Sequence, residues 1–519
     1  MSVSDVIPAR LDAAVKTATR TELAGSGSIG RAVWALILAF GLSHLLLAVV
    51  LPLTPQEAYY WLWSRDLAWS YFDHPPLVAW SIAAATAVFG ASSWAIKLAA
   101  VGWSFAFSVV WARLVIDIGG SRSTAFWTLL ALNLIGIVAA YGVVIAPDAP
   151  LLFAWAAVTW TVLKATRTGE TRWWLLAGLA LGLGFLAKYT AVLLVPAVGI
   201  YLVLSPSQRY WLRRPQPWLA LIIAAIVFTP VIAWNAQHDW ASFAFQSTQR
   251  AVGMDHWRVR YLLQMLGTQF IVATPYLFVL ALATWWTAMR GWRELLADDA
   301  RLLLVASATV PLLLFAFASL RSLVKPNWLA PVYPPLIVLA LHAQLRQGVI
   351  PRALKIGLAS SVAVLCAAAA VVTLPNPWLG VGNTWSGWAE AAQRIDRLQY
   401  MLAAENTASF VFSTNYKNSA ILAFDLPGHP RTYAQDIYGE RALQFDYWPP
   451  EATLAGRTGI LVIDDRRDAA QVPQSLLDRF QSVEKVDTVF VGDPAKPTRR
   501  IDIYLCRGYR GHPHSGRSS

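Results

Sequence analysis

Residues 33–80 read VWALILAFGLSHLLLAVVLPLTPQEAYYWLWSRDLAWSYFDHPPLVAW. The first part, 33–53, is an apolar run of about twenty residues, the length a helix needs to cross roughly 30 Å of hydrocarbon. The second part changes texture at once: it holds Glu57, Asp73 and His74 among the rings of Tyr59, Tyr60, Trp61, Trp63, Trp69, Tyr71 and Phe72. Rings of this kind concentrate where a membrane meets water. Taken alone, the segment reads as an interfacial amphipathic helix with its aromatic belt. What decides the fold is that the same alternation continues along the chain.

Of 519 residues, 56% are hydrophobic and 14% charged, which excludes a soluble domain of this length. Further apolar runs of about 16 to 28 residues begin near Trp94, Thr124, Asp148, Arg172, Tyr189, Pro217, Leu262, Leu302, Trp328 and Ala353, so the sequence predicts eleven full spans. The run 77–90 is short for a span and reads as interfacial or re-entrant; counting it and further broken runs gives about 11–13 helices. The net charge of +12 does not point to nucleic acid, because the cations fall mostly in short loops: Arg113 and Arg122; Lys164, Arg167 and Arg172; Arg209, Arg213 and Arg214; Arg290, Arg293 and Arg301; Arg346, Arg352 and Lys355. By the positive-inside rule these loops and the N-terminus are cytoplasmic, and the stretch 54–93 faces outward. Two cysteines, Cys366 and Cys506, form no metal-type spacing and imply no disulfide framework.

The expected organisation is therefore an all-α polytopic membrane protein with a small C-terminal α/β domain outside the membrane. Residues 1–30 form a polar cytoplasmic tail without the apolar core of a signal peptide, and 31–374 form the membrane domain. Residues 375–519 follow as the extracytoplasmic domain. In the latter, NTWSGWAEAAQRIDRLQYML reads as a helix, and FVFST, GILVID, DTVFVG and RIDIYLCR read as strands.

On this topology the unusual polar residues collect on the outer side. Charged groups at membrane depth cost roughly 2.5–3.5 kcal/mol on insertion scales, so each needs a partner or water. Asp148, between Pro147 and Ala149-Pro150, suits an N-cap as well as a catalytic acid. Lys188 interrupts two apolar helices and calls for a buried anion, whereas Arg250 and Lys325 also suit solvated loop cations. Asp73-His74 before Pro75-Pro76 suits turn chemistry. Carboxylates and cations gathered on one side fit deprotonation of a nucleophile and stabilisation of an anionic leaving group.

Six segments in order, EAYYWLWSRDLAWSYFDHPPLVAW (57–80), APDAPLLFAWA (146–156), GLGFLAKYTAVLLVP (182–196), LVKPNWLAPVYPPLIVLA (323–340), LPGHPRTYAQD (426–436) and YLCRGY (504–509), resemble bacterial GT-C glycosyltransferases of the protein O-mannosyltransferase-like group, which includes the lipid A aminoarabinose and galacturonosyl transferases. The resemblance runs from about Pro52 to Gly508. It implies inverting transfer of a sugar from a polyprenyl-phosphate carrier to an acceptor (lipid A, lipopolysaccharide core, another glycolipid or protein) on the outer face of the bacterial cytoplasmic (inner) membrane. It also implies catalytic roles for Glu57 and Asp148, with Glu57 as base. His74, Lys188, Lys325 and Tyr59 fall on the donor phosphate, and Gln56, Tyr60, Asp73, Arg250 and Asn327 around the cavity. A metal is not obligatory for a single-phosphate leaving group, but Glu57 with Asp148 offers carboxylates for a divalent ion. The chain departs from the family at Gln56, where relatives carry Asp, since an amide is no base. Two other readings share these residues: a transporter or flippase of polyprenyl-linked glycans, and a non-catalytic relative.

Overall fold

The computed structural model describes residues 28–249, 256–373, 385–448, 452–465, 472–493, 495 and 497–511. The first apolar run forms helix α1, Arg31–Val50, and a second helix, α2, Pro55–Arg65, follows after four residues. The chain restarts there for a local reason. Thr54 accepts a hydrogen bond from the Glu57 amide at 3.1 Å while the Glu57 carboxylate accepts from the Thr54 amide at 2.9 Å, a reciprocal cap completed by Pro55 in the first turn. Helix α3, Leu77–Phe89, has 13 residues and so extends only about 20 Å, too short to cross alone, as expected for 77–90. Ser92 then caps α4, Ser93–Asp117.

Among the described residues six helices are long and apolar enough to cross a bilayer: α1, α4, Asp148–Thr168, Pro215–Gln237, Asp299–Ser319 and that starting at Arg352; the bent pair Val259–Val272 and Pro275–Arg290 would make a seventh. The chain is a multi-pass membrane protein with fewer unbroken spans than the eleven its apolar runs suggest. Hydropathy registers apolar length and not continuity, and several runs are interrupted. The run from Thr124 splits into Arg122–Asn133 and Gly136–Tyr141. Leu262 to Arg290 turns through 117° at Thr274, whose φ of 65° and following proline end one helix and begin another. At Lys188 the break falls where the sequence places a turn: Thr171–Ala187 stops there, and the chain continues through a short 3-10 turn, Tyr189–Leu193, into Leu194–Leu204.

Thr171–Ala187 packs closely on Pro215–Gln237. A Cβ at Gly178 would stand 2.5 Å from the Ala220 carbonyl oxygen, and one at Gly182 equally close to the Val227 side chain, so this pair of glycines four residues apart admits the neighbouring helix. Gly178→Val is expected to force the helices apart, lowering stability by about 1–3 kcal/mol. A lowered melting midpoint of the detergent-solubilised protein reads this; an unchanged midpoint rejects the close packing.

The C-terminal strands occupy the expected runs. Strands β1, Ser409–Ser413, β2, Thr458–Asp464, β3, Ser482–Val491, and β4, Arg499–Arg507, form one sheet in the order β1-β2-β4-β3. The β1–β2 pair is parallel, with Tyr416–Asp425 in the crossover, and the other pairs are antiparallel. The helix Trp388–Ala404 buries Trp388, Ala391, Ala392 and Ile395 under this layer. This unit does not have a core to itself. Ile421, Ala423 and Phe445 share one buried cluster with Tyr59, Trp61 and Trp63 of α2, so the C-terminal unit is seated on the segment 54–80.

Candidate active site

Glu57 is the centre of gravity of the first loop, but in a closed position. It has no exposed surface, and its Oε2 lies 2.6 Å from the ammonium of Lys97, which is equally buried on α4. Its Oε1 accepts from the Ile145 amide at 3.1 Å, three residues before Asp148. Both oxygens are thus spent on tying together the start of α2, the membrane helix α4 and the turn leading to Asp148. The carboxylate expected to act as base is thus enclosed by one ammonium and two backbone amides. Lys97 was not singled out in the sequence, although a lone cation in the run SWAIKLAAV is itself a signal for a buried partner.

Asp148 is the first residue of the helix Asp148–Thr168, yet its side chain does not cap that helix. Oδ1 lies 2.7 Å from the Lys188 ammonium, and Oδ2 accepts from the Asn327 amide at 3.0 Å. The anion that Lys188 demanded is therefore Asp148. Lys188 reaches it because the backbone there leaves the helix in an extended conformation, φ −159° and ψ 137°, between Thr171–Ala187 and the 3-10 turn. Asn327 comes from a third element, the 3-10 segment Pro326–Val332. The Tyr141 hydroxyl lies against both Asp148 and Asn327.

Lys188 and His74 both line a cavity of about 370 Å³, whose walls also include Tyr189, Gln246, Phe315 and Trp328. Asp73, almost wholly buried, stands next to His74. Its Oδ1 accepts from the Tyr59 hydroxyl at 3.0 Å, and its carbonyl accepts from the Gln246 side chain at 2.7 Å. Tyr59 in turn accepts from the Gln444 amide at 3.0 Å, while the Gln444 side-chain oxygen accepts from the Phe72 amide at 2.7 Å. Burial first, then the nearby Asp73 charge, hold the Tyr59 phenol well above its usual range, so it stays a donor to Asp73. The Tyr59 hydroxyl, expected on the donor phosphate, thus lies between Asp73 and the Gln444 amide. Gln444 and Gln246 are functional neighbours that the sequence did not mark, since each meets the first loop only through folding.

The remaining expected residues are distributed around this centre. Gln56, half-buried, lies against the Tyr60 hydroxyl, and the Tyr60 ring meets His74 edge-on at 6.4 Å. Lys325 is exposed at the mouth of the segment that carries Asn327. Arg250 lies outside the described residues. Glu57 and Asp148 do not fit a shared divalent ion, because each already accepts from its own lysine; among the described residues no three His, Cys, Asp or Glu side chains gather in a metal-binding group.

Residues 73–234 match the family model of dolichyl-phosphate-mannose-protein mannosyltransferases, so the match opens on Asp73 and includes Asp148 and Lys188. The chain is 29% identical over 293 residues to the lipid A galacturonosyltransferase of Rhizobium johnstonii, an alignment covering 55% of this chain and 59% of the relative. It is 28% identical over 338 residues to the undecaprenyl phosphate-alpha-4-amino-4-deoxy-L-arabinose arabinosyl transferase of Erwinia tasmaniensis, covering 61% of this chain and 58% of that protein. The chain thus spans less than two thirds of the length of these curated relatives. Its fold matches the crystal structure of ArnT from Cupriavidus metallidurans in the apo state with a TM-score of 0.61 at 18% identity, over 91% of this chain and 97% of that one. The same protein bound to undecaprenyl phosphate gives a TM-score of 0.59. In sequence and in fold, the chain is similar to the GT-C glycosyltransferases of the lipid A modification group.

Proposed function

We propose that this protein transfers a sugar, with inversion, from a polyprenyl-phosphate carrier to a lipid A or related lipopolysaccharide acceptor at the outer face of a bacterial inner membrane. The N-terminus and the arginine-rich loops would then be cytoplasmic, and the C-terminal α/β unit extracytoplasmic. The observation that carries the reading is the pairing of Lys188 with Asp148 and Asn327 on the wall of a cavity that His74 also lines. The names of the similar proteins supply the substrate class, a lipid-phosphate sugar and lipid A.

In this mechanism the acceptor oxygen attacks the anomeric carbon, the bond from that carbon to the phosphate oxygen breaks, and polyprenyl phosphate leaves as the dianion. Asp73 takes the acceptor's proton, held in place by Tyr59. Lys188 offers positive charge, and Lys188 and His74 offer N–H donors, to the departing phosphate. Asp148 and Asn327 fix where the Lys188 ammonium points. Since the base is at position 73, the amide of Gln56 does not by itself disable the site. The C-terminal unit contributes by holding the first loop through Gln444.

The test uses protein in detergent micelles with a radiolabelled sugar on polyprenyl phosphate and lipid A as acceptor. Labelled lipid A together with free carrier is the expected result; carrier-linked sugar that remains intact would favour the transporter reading. Lys188→Gln combined with Asp148→Asn keeps the hydrogen-bonding shapes while removing both charges, and is expected to lower transfer about 100-fold or more. Wild-type turnover in that double variant would remove Lys188 from the phosphate.

A further inference from the structure

At the end of the membrane domain away from the candidate active site, where the arginine-rich loops lie, the structure encloses a second and larger cavity of about 500 Å³. Its lining comes from separate elements: Arg167 in the last turn of Asp148–Thr168, Thr284 and Thr287 of Pro275–Arg290, Arg301 and Leu304 at the start of Asp299–Ser319, and Leu339 to Arg346 at the end of Tyr333–Gln344. Arg167, Arg301 and Arg346 thus all border one opening, with the Arg167 guanidinium also donating to the Asp117 carbonyl.

Two acids, Asp298 and Glu294, share the rim, so the three arginines leave an excess of one positive charge there. Asp298 spends a carboxylate oxygen on the Arg301 amide at 3.0 Å, capping the helix behind it. Glu294 is 82% exposed and stands 3.7 Å from Arg301, a separation and exposure at which water screens most of the attraction. Deeper in, Ile118, Leu304 and Leu339 make the wall apolar. The cavity therefore has a cationic mouth and a greasy floor. Its depth in the membrane is marked independently by Trp286 and Trp292, each about half exposed and each covered by an arginine, Arg290 at 4.8 Å and Arg293 at 5.2 Å from the ring centre. Tryptophans capped in this way belong at the level of lipid headgroups.

We propose that this cavity binds the phosphate headgroup of an anionic phospholipid, with Arg167, Arg301 and Arg346 around the phosphate and the first carbons of the acyl chains against Leu304 and Leu339. A basic pocket between helix ends on the arginine-rich side suits such a headgroup, whereas a zwitterionic lipid brings a choline into the same guanidiniums and is repelled. The site is separate from the sugar-transfer cavity and its occupancy does not depend on catalysis.

Delipidated full-length protein in detergent, titrated with phosphatidylglycerol, phosphatidylcholine or inorganic phosphate and followed by native mass spectrometry, tests this without any sugar donor. Phosphatidylglycerol is expected to bind in preference to phosphatidylcholine, and Arg167→Gln combined with Arg346→Gln to weaken it about 30-fold, at roughly a fivefold loss per arginine. A melting midpoint of the lipid-free double variant equal to wild type shows that the loss is not unfolding. Equal binding of the two phospholipids, unchanged binding in the folded double variant, or saturation by inorganic phosphate in place of lipid would each overturn the proposal.

Discussion

Asp73→Asn is expected to lower sugar transfer by about 100- to 10,000-fold while leaving the protein as abundant and as thermally stable as wild type. The asparagine keeps the shape of the side chain and still accepts from the Tyr59 hydroxyl, so the hydrogen-bonded link from Gln444 through Tyr59 to position 73 survives. What is lost is the basicity that takes the acceptor proton. Donor binding should change little, because Lys188 and His74, on the cavity wall, are untouched. The measurement is transfer from labelled polyprenyl-phosphate sugar under saturating donor, with the melting midpoint beside it. A variant within a few-fold of wild type would take the base role from Asp73.

The second large effect concerns Glu57, and it is on folding. Glu57→Gln removes the charge that compensates a lysine with no access to water, and turns an amide N–H₂ toward an ammonium that has only donors to offer. Breaking one half of a buried ion pair costs roughly 3–5 kcal/mol, enough to lower the yield of folded protein sharply. Adding Lys97→Met removes the stranded charge, and is expected to recover much of that loss even though the Ile145 and Thr54 amides are less well served. Yield and melting midpoint of the two variants decide the matter. If Glu57→Gln were as stable as wild type but inactive, Glu57 would be a reacting group and the closed ion pair would be the wrong description of its role.

These two outcomes separate carboxylates that look alike in the sequence. Glu57, Asp73 and Asp148 are each a single acid near a proline or a ring at the edge of an apolar run, and spacing alone cannot rank them. Their differences are set by what arrives from far along the chain: Lys97 at Glu57, Tyr59 backed by Gln444 at Asp73, Lys188 with Asn327 at Asp148. Such partners lie from 14 to 385 residues apart in sequence. The C-terminal unit shows the same division. Its four strands could be read directly because β-rich runs alternate with turn residues, but its seat on α2, through Phe445 and Gln444, belongs to the tertiary structure.

By itself the sequence determined that the chain lives in a membrane and where the strands of its small C-terminal sheet lie. It could do so because apolar length and strand periodicity are local properties, readable in windows of ten to twenty residues. The tertiary structure alone decided how many of the apolar runs are unbroken helices, since a single residue such as Thr274 redirects the backbone without altering hydropathy. It also decided which lysine each of Glu57 and Asp148 meets and that Asp73 meets Tyr59. Ionic and hydrogen-bonded pairing depends on distances of about 3 Å between residues that only the folded chain brings together, and buried charge is stable only where such a partner is supplied.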